Sequence, residues 1–392
     1  MEIVLLAETN RIGIRMNKMQ KQLIAVVAVI IIVAAAAAAV LYTRGNNDNG
    51  DESLDTVTDV RGRTVDLPDS VNTVVCLSAG SVRLVSYFGA DAVKMIVGID
   101  NYDANVSAVP ANYYKATYRI AYDIADKANV GSEENTKAII ETGADVIFSS
   151  ITSVDELNTL QSATGIAVVA VAADGDITIQ DDMFAENIKL VGDVLGKQTR
   201  ADELLSGIEK LTDELSSYKS DSKVSANCYV GGMFYYMKGG LYMTTGNYLS
   251  FNLTNAVNVM SDRNNGNPYQ TDKSTVMQIA GDKGIDYIFI DAMTATASRT
   301  AYEADQEDLA SQVKAAEDGN LYSTLVYKYY GTNWEMELIN AFYIGSVLDP
   351  TVYNYDVEDK TNEILALFFP DSNINYDTVV ANQGLGLTKL NW

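Results

Sequence analysis

Residues 136–150, TKAIIETGADVIFSS, and residues 275–291, TVMQIAGDKGIDYIFID, carry one pattern twice. Each sets an apolar-faced helical stretch, a glycine turn and an aspartate ahead of a short, uninterrupted apolar run. Such a run bounded by turn residues reads as a strand buried on both faces, the habit of parallel sheets flanked by helices. The same unit in both halves of the chain points to two α/β lobes.

Further strand candidates flank the first copy at Thr73–Leu77, Val93–Ile99, Asp145–Ser149 and Ile166–Val171, with helix candidates at Val82–Phe88, Glu133–Thr142 and Val154–Ala163. Around the second copy, strands fall at Val224–Val230 and Asp286–Asp291. Helices fall there at Phe251–Val259, Ser274–Ala280, Asp305–Ala316 and Trp334–Leu348. Between the halves, Ala201, Leu204, Leu205, Ile208, Leu211 and Leu215 recur at spacings of three and four, which predicts a long amphipathic helix joining the lobes. Upstream, Thr56–Pro68 holds two short alternating runs about Arg61-Gly62-Arg63, a hairpin signal. The expected division is a cytoplasmic segment (1–22), an anchor or signal (23–42), a linker (43–55), an N-terminal lobe (56–198), a connecting helix (199–220) and a C-terminal lobe (221–392).

Residues 23–42, LIAVVAVIIIVAAAAAAVLY, form an uncharged apolar run long enough for a bilayer core of about 30 Å. Arg11, Arg15, Lys18 and Lys21 precede it, and Asp48, Asp51, Glu52 and Asp55 follow, so the positive-inside rule puts the bulk of the chain on the extracytoplasmic face of the membrane. A retained anchor is favoured over a cleaved signal, whose apolar core is usually about 7–15 residues. No cysteine precedes Cys76, so a lipid-bearing cysteine is not the tether.

The 392 residues carry 28 Lys plus Arg against 52 Asp plus Glu, a formal charge of -24 that disfavours nucleic acid as a partner. There is no histidine. That removes Ser-His-Asp and Cys-His catalysis and His-rich metal sites, and no phosphate-binding loop of the ATPase type occurs. No catalytic residue, resident metal or covalently bound cofactor is expected, and the chain reads as a monomeric binding protein, not an enzyme. Cys76 and Cys228, each inside an apolar run, read as buried thiols, with a bridge as the lesser option.

Several stretches in fixed order carry a family likeness: TDVRGRTVDLP (58–68), VVCLSAGSVRLVSYFGA (74–90) with VGID (97–100), NIKLVGDVLGKQTRADELL (187–205), YVGG (229–232), TTGNYLSFNLTNA (244–256) and YYGTNWEMELINAFYIGSVLDP (329–350). Over about Thr56–Pro370 the chain resembles the helical-backbone substrate-binding proteins of ABC importers for ferric siderophores, haem and cobalamin, in particular their archaeal iron-complex branch. The resemblance implies two Rossmann-like lobes with a ligand cleft between them, and a permease with its ATPase as partners. Many such proteins place a permease-docking Glu early in the first helix; here Arg83 stands there, so docking uses another carboxylate or Arg83 faces the ligand.

In open α/β sheets the ligand sits beyond the carboxyl ends of the strands. The loops in question are 78–81, 100–103, 150–153, 231–248, 292–299 and 327–334. Tyrosine offers a flat face and a phenol that can hydrogen-bond or ligate ferric iron, and scarce cations in an acidic protein suit an anionic chelate. The candidate ligand-binding residues are Arg83, Tyr102, Tyr235, Tyr236, Lys238, Tyr242, Tyr248, Arg299, Tyr330 and Trp334. For the tyrosines, covering a core edge is the competing role; for Trp334 it is sealing a helix against the core. The expected cargo is a ferric iron complex, with haem, cobalamin or an oxyanion as alternatives, and a surface sensor or adhesin that kept the fold as another.

Overall fold

The computed structural model describes residues 54–104, 116–173, 177–263, 267–328 and 331–392, all within one unit running from Glu52 to Trp392. Among them no helix is long and apolar enough to cross a membrane. The 23–42 run and Tyr113, Tyr114, Tyr329 and Tyr330 lie outside the described residues.

A hairpin of β1 (Thr56–Thr58) and β2 (Thr64–Asp66) opens the fold. The Asp59 carboxylate accepts from the amides of Arg61 and Arg63 and from Ala170, which fastens the turn to the first sheet. That sheet comprises β3 (Val74–Leu77), β4 (Ile96–Asp100), β5 (Ala128–Gly131), β6 (Val146–Ser149) and β7 (Ala167–Ala170). It is wholly parallel in the order β5-β4-β3-β6-β7. Its side chains alternate as the pleat requires. Cys76, Phe148 and Val169 enter the large core that also receives the connecting helix. Leu77, Ile147 and Val168 enter a smaller core with Ile139, Leu157 and Leu160.

The second half begins with β8 (Ala226–Gly231), followed by the short strands β9 (Phe234–Tyr235), β10 (Lys238–Gly239) and β11 (Met243–Thr244). Then come β12 (Ala256–Asn258), β13 (Tyr269–Gln270), β14 (Tyr287–Asp291) and β15 (Leu321–Thr324). The main sheet is again parallel, in the order β12-β8-β14-β15. Cys228, Val230 and Phe289 face one core and Tyr229, Ile288 and Ile290 the other. In each sheet the first strand is interior and the chain later crosses to its other side. That reversal opens a crevice at the carboxyl ends of β3 and β6, and of β8 and β14.

The aspartates of the repeated unit serve the opposite ends of the strands. Asp145 accepts from the amides of Asn72 and Thr73, and Asp286 from that of Asn227. Both therefore fix strand entry.

The helix Gln198–Asp221 stands between the sheets in sequence, its 24 residues giving a length of about 36 Å. Ala201, Leu204, Ile208, Leu211 and Leu215 are buried, while Leu205, on the shoulder of the same stripe, is only partly so. It follows the helix Asp182–Leu195, which ends at Gly196 in the left-handed conformation.

Three expectations are corrected. Residues 93–99 are not one strand: Ala90–Met95 is helical, with an Asp91–Lys94 ion pair along it, and β4 begins at Ile96. Residues 251–259 divide into the helix Leu249–Asn252 and β12, because the Thr254 hydroxyl returns to the Phe251 carbonyl and the Asn255 amide reaches Lys219 O. The helix expected from Asp305 begins at Ala295, which lifts Arg299 out of a loop. Strands β5, β12 and β15 carried no signal strong enough to be read, and β15 is completed by the C-terminal segment, where Ser323 N donates to Thr388 O and Leu390 N to Leu321 O.

Cys76 in β3 and Cys228 in β8 are free thiols in different sheets, so no bridge joins them. Burial raises the pKa of both. A thiol-specific chromogenic reagent should label neither cysteine in the native protein and both after guanidinium unfolding; rapid native labelling would contradict this packing.

Candidate ligand-binding site

At the carboxyl edge of the first sheet, Ser78 leaves β3 with φ 65°, a left-handed conformation unusual for a residue with a side chain. Its hydroxyl donates to Glu133 Oε1 at 2.5 Å, and Ser149 Oγ lies 3.4 Å away. The next turn passes so close to the chain after β7 that a methyl on Gly80 would meet the Ala173 side chain at 2.4 Å. Beyond β4, Asp100 Oδ1 accepts from the amides of Tyr102 and Asp103 and caps the short helix Asn101–Ala104. Asp103 accepts from the Tyr118 hydroxyl and lies 3.6 Å from an Arg119 nitrogen.

At the carboxyl edge of the second sheet, Asp291 ties two loops together. Its Oδ1 accepts from Met293 N and its Oδ2 from Tyr327 N. The Thr294 hydroxyl bonds Gly232 O and receives Gly240 N, which clamps the base of the β9–β10 hairpin. Beside that base lies a shallow recess, with no room inside it for a water molecule, lined by Met233, Phe234, Pro268, Asp291, Tyr327 and Lys328.

The chain leaving β15 meets the chain leaving β7. Trp334 Nε1 donates to Ile177 O at 2.8 Å, Ile179 N donates to Glu337 Oε2 at 3.0 Å, and Tyr87 OH donates to Glu335 Oε2 at 2.8 Å. Arg83 lies in this joint, 1 % exposed, with Nη2 donating to Asn333 Oδ1 at 3.1 Å and its guanidinium 5.2 Å from the Tyr118 ring centre. The Asn333 amide in turn donates to Val326 O. Burial raises the pKa of both Glu335 and Glu337, and Arg83 opposes the rise at Glu335.

Of the ten candidate residues, the structure gathers Tyr235, Tyr236 and Lys238 on one hairpin, with Lys238 opposite Tyr235 in its ladder. Tyr102 is exposed beyond β4. Five others are held by contacts of their own. Arg83 is neither a surface docking residue nor a cleft-facing cation, because Asn333 and Tyr118 enclose it. Trp334 packs in the core against Tyr87 and Phe184. Tyr248 is fully buried against Phe251 and Tyr327, its hydroxyl receiving the Asn340 amide. Tyr242 spends its hydroxyl on Asp305, a residue of the Ala295–Gln312 helix, and Arg299 pairs with Glu303 on that same helix. Tyr330 lies outside the described residues.

The sequence reading held Asp100, Asp103, Phe234, Tyr327 and Lys328 in its cleft loops without naming them as candidates, and it missed Glu133 at the first edge. The acids of WEMEL, set into an apolar helix, were a legible sign that Glu335 and Glu337 would be buried and bonded. Among the described residues, no group of three or more acidic or thiol side chains is placed to hold a metal ion.

Two outcomes follow. Arg83→Ala should lower the free energy of unfolding in urea by roughly 3–5 kcal/mol, since it strands buried partners; Lys238→Ala, on an exposed strand, should change it by less than about 0.5 kcal/mol. Burial and the neighbouring Asp103 push the Asp100 pKa up to about 7. A carboxyl raised in the native state stabilises fully only when protonated, so its contribution is lost as pH climbs from about 4 toward 7, by up to about 4 kcal/mol. Asp100→Asn should therefore gain in Tm relative to wild type between pH 4.5 and 7.5, and a difference that does not vary with pH would contradict the assignment.

Residues 74–325 match the family described as periplasmic binding protein. Comparison with curated proteins finds no match. Among solved structures, the chain is similar to the TroA-like periplasmic binding protein FepB from Veillonella parvula, with 20% identity and a TM-score of 0.60 over 86% of this chain and 100% of that one. It is similar also to a periplasmic solute binding protein from Veillonella parvula DSM 2008, with 16% identity and a TM-score of 0.62 over 84% and 98%. The molybdate periplasmic binding protein MolA of Haemophilus influenzae, solved bound to molybdate, gives 19% identity and 0.60 over 82% and 99%. At these identities the structures speak to fold alone. With about two thirds of its length matched to the family and two parallel sheets that each reverse about an interior first strand, the chain belongs to the periplasmic binding proteins.

Proposed function

We propose that this protein captures a ferric iron complex outside the cell and delivers it to an ABC permease whose ATPase drives import. Membrane attachment through residues 23–42, the division into lobes at 56–198 and 221–392, and membership of the archaeal iron-complex branch are parts of the same reading. The observation that carries it is the β9–β10 hairpin beside the recess at the carboxyl edge of β8 and β14. It sets Tyr235, Tyr236 and Lys238 where aromatic faces and a cation can meet an anionic chelate. Tyr102 contributes from the other edge. Family membership supports a solute-binding role over catalysis, and the absence of histidine from the whole sequence removes the commonest general base.

A thermal-shift screen of the protein against a ferric tris-catecholate, haemin, cyanocobalamin and molybdate tests this. Ligand at a hundred times its dissociation constant should add about 2.7 kcal/mol to stability. A shift with the tris-catecholate supports the reading, a shift with another member replaces the cargo, and a flat response throughout argues for a protein that kept the fold without transport.

A further inference from the structure

Two Asn-x-Ser/Thr triplets without a central proline occur in the sequence, NVS at 105–107 and NLT at 252–254. The first lies outside the described residues. The second begins on the last residue of the helix Leu249–Asn252. The three residues before it are buried, Phe251 against Tyr248 and Phe289, while Asn252 alone is exposed. Its backbone carbonyl receives Lys219 Nζ from the connecting helix at 2.6 Å, and its side-chain amide makes no hydrogen bond among the described residues. The asparagines that follow it behave otherwise. Asn255 donates its amide to Lys219 O and Asn258 to Thr245 O, each holding backbone in place. The Asn252 side chain has no such task in the fold.

The other half of the triplet is turned inward. Thr254 is 2% exposed, and its hydroxyl donates to Phe251 O at 3.0 Å and receives Ala256 N at 3.3 Å. The turn is thus fixed from within, and what it offers to solvent is the Asn252 side chain. It does so at the end of the second sheet away from the ligand loops. Ala256, the first residue of β12, pairs with Ala226, the first residue of β8. The six residues of β8 put about 20 Å of strand between that end and the carboxyl edge. A bulky group on Asn252 leaves the β9–β10 hairpin clear.

An exposed asparagine with a hydroxyl residue two places on is the acceptor pattern for N-linked sugar on an extracytoplasmic chain, and membership of the periplasmic binding proteins implies that location. We propose that Asn252 carries an N-linked glycan. The donor is a sugar held on a lipid phosphate. The bond from Nδ2 to the sugar C1 forms as the bond from C1 to the phosphate oxygen breaks, the lipid phosphate leaves with the electron pair, and Nδ2 gives up a proton. Because the Thr254 hydroxyl is enclosed in the native turn, the transfer takes place before residues 249–256 close, as the chain emerges. Folding then leaves the sugar outside, over the end of the connecting helix near Lys219. The proposal does not depend on which solute the protein binds.

The test uses the full chain made in the cells from which the sequence comes and, in parallel, in a host that makes no N-linked sugar. Mass spectrometry of the proteolytic peptide containing Asn252 should show whole sugar residues added in the first protein and the unmodified mass in the second. Asn252→Gln should lose the addition at this site, with an unchanged Tm in the sugar-free host as the sign that the fold is intact. Thr254→Val should lose it with Asn252 still in place, whereas Thr254→Ser should keep it. An unmodified Asn252 peptide from the source cells, or sugar confined to Asn105, would overturn the proposal. Sugar persisting on Asn252 in the Thr254→Val protein would overturn it too, because the addition would then not depend on the triplet.

Discussion

The joint between the loop after β15 and the elements after β3 and β7 is the constraint on which the molecule depends. Arg83, Asn333, Glu335 and Glu337 are all buried there, where groups of this kind are tolerated only when hydrogen-bonded or paired. Each therefore fixes the position of its partner. Arg83 sets Asn333, Tyr87 sets Glu335, and the Ile179 amide sets Glu337. Around them runs a single apolar core. It takes Val74 and Phe148 from the first sheet, Leu204 and Leu211 from the connecting helix, and Leu325, Trp334 and Phe342 from beyond the second. With one core shared across both halves, large rotations of one against the other would open apolar surface to water, and each square ångström exposed costs about 25 cal/mol.

This arrangement shifts the chemistry of recognition outward. Arg83, a cation that sequence position alone would assign to ligand or permease, is consumed in holding the halves together. What remains accessible at the carboxyl edges is a set of short loops and one hairpin, built on strands whose side chains alternate strictly between two cores. Such a division lets the rim vary while the pleat beneath it stays fixed.

The sequence was most informative where one physical rule dominated. Uninterrupted apolar runs gave β3, β6 and β14 because burial on both faces leaves no room for polar residues, and the spacing of Ala201, Leu204, Ile208, Leu211 and Leu215 gave the connecting helix because one face of it is buried throughout. Edge strands β5, β12 and β15 were illegible, since ANVG, AVN and LYST are short and mixed and owe their extended form to a neighbour. At the candidate site, composition pointed to tyrosines and cations in glycine-rich loops but could not separate exposed from buried. Tyr236 and Tyr248 stand twelve positions apart in similar surroundings, yet one projects into solvent and the other is fully enclosed. That difference arises from the hairpin turn and from helix Trp334–Leu348, which supplies Asn340 to the Tyr248 hydroxyl.

The partners in the joint are far apart along the chain: Arg83 and Asn333 are separated by 250 residues, and Tyr87 and Glu335 by 248. Contacts of such long sequence separation form late and slow the approach to the native state. During synthesis the first sheet can assemble early, but its exposed Arg83 and the apolar face of β3 and β6 must wait in water for a segment emitted some hundreds of residues later. For that interval the growing chain carries an unfinished core, the condition under which a nascent protein depends on chaperones to avoid sticking to its neighbours.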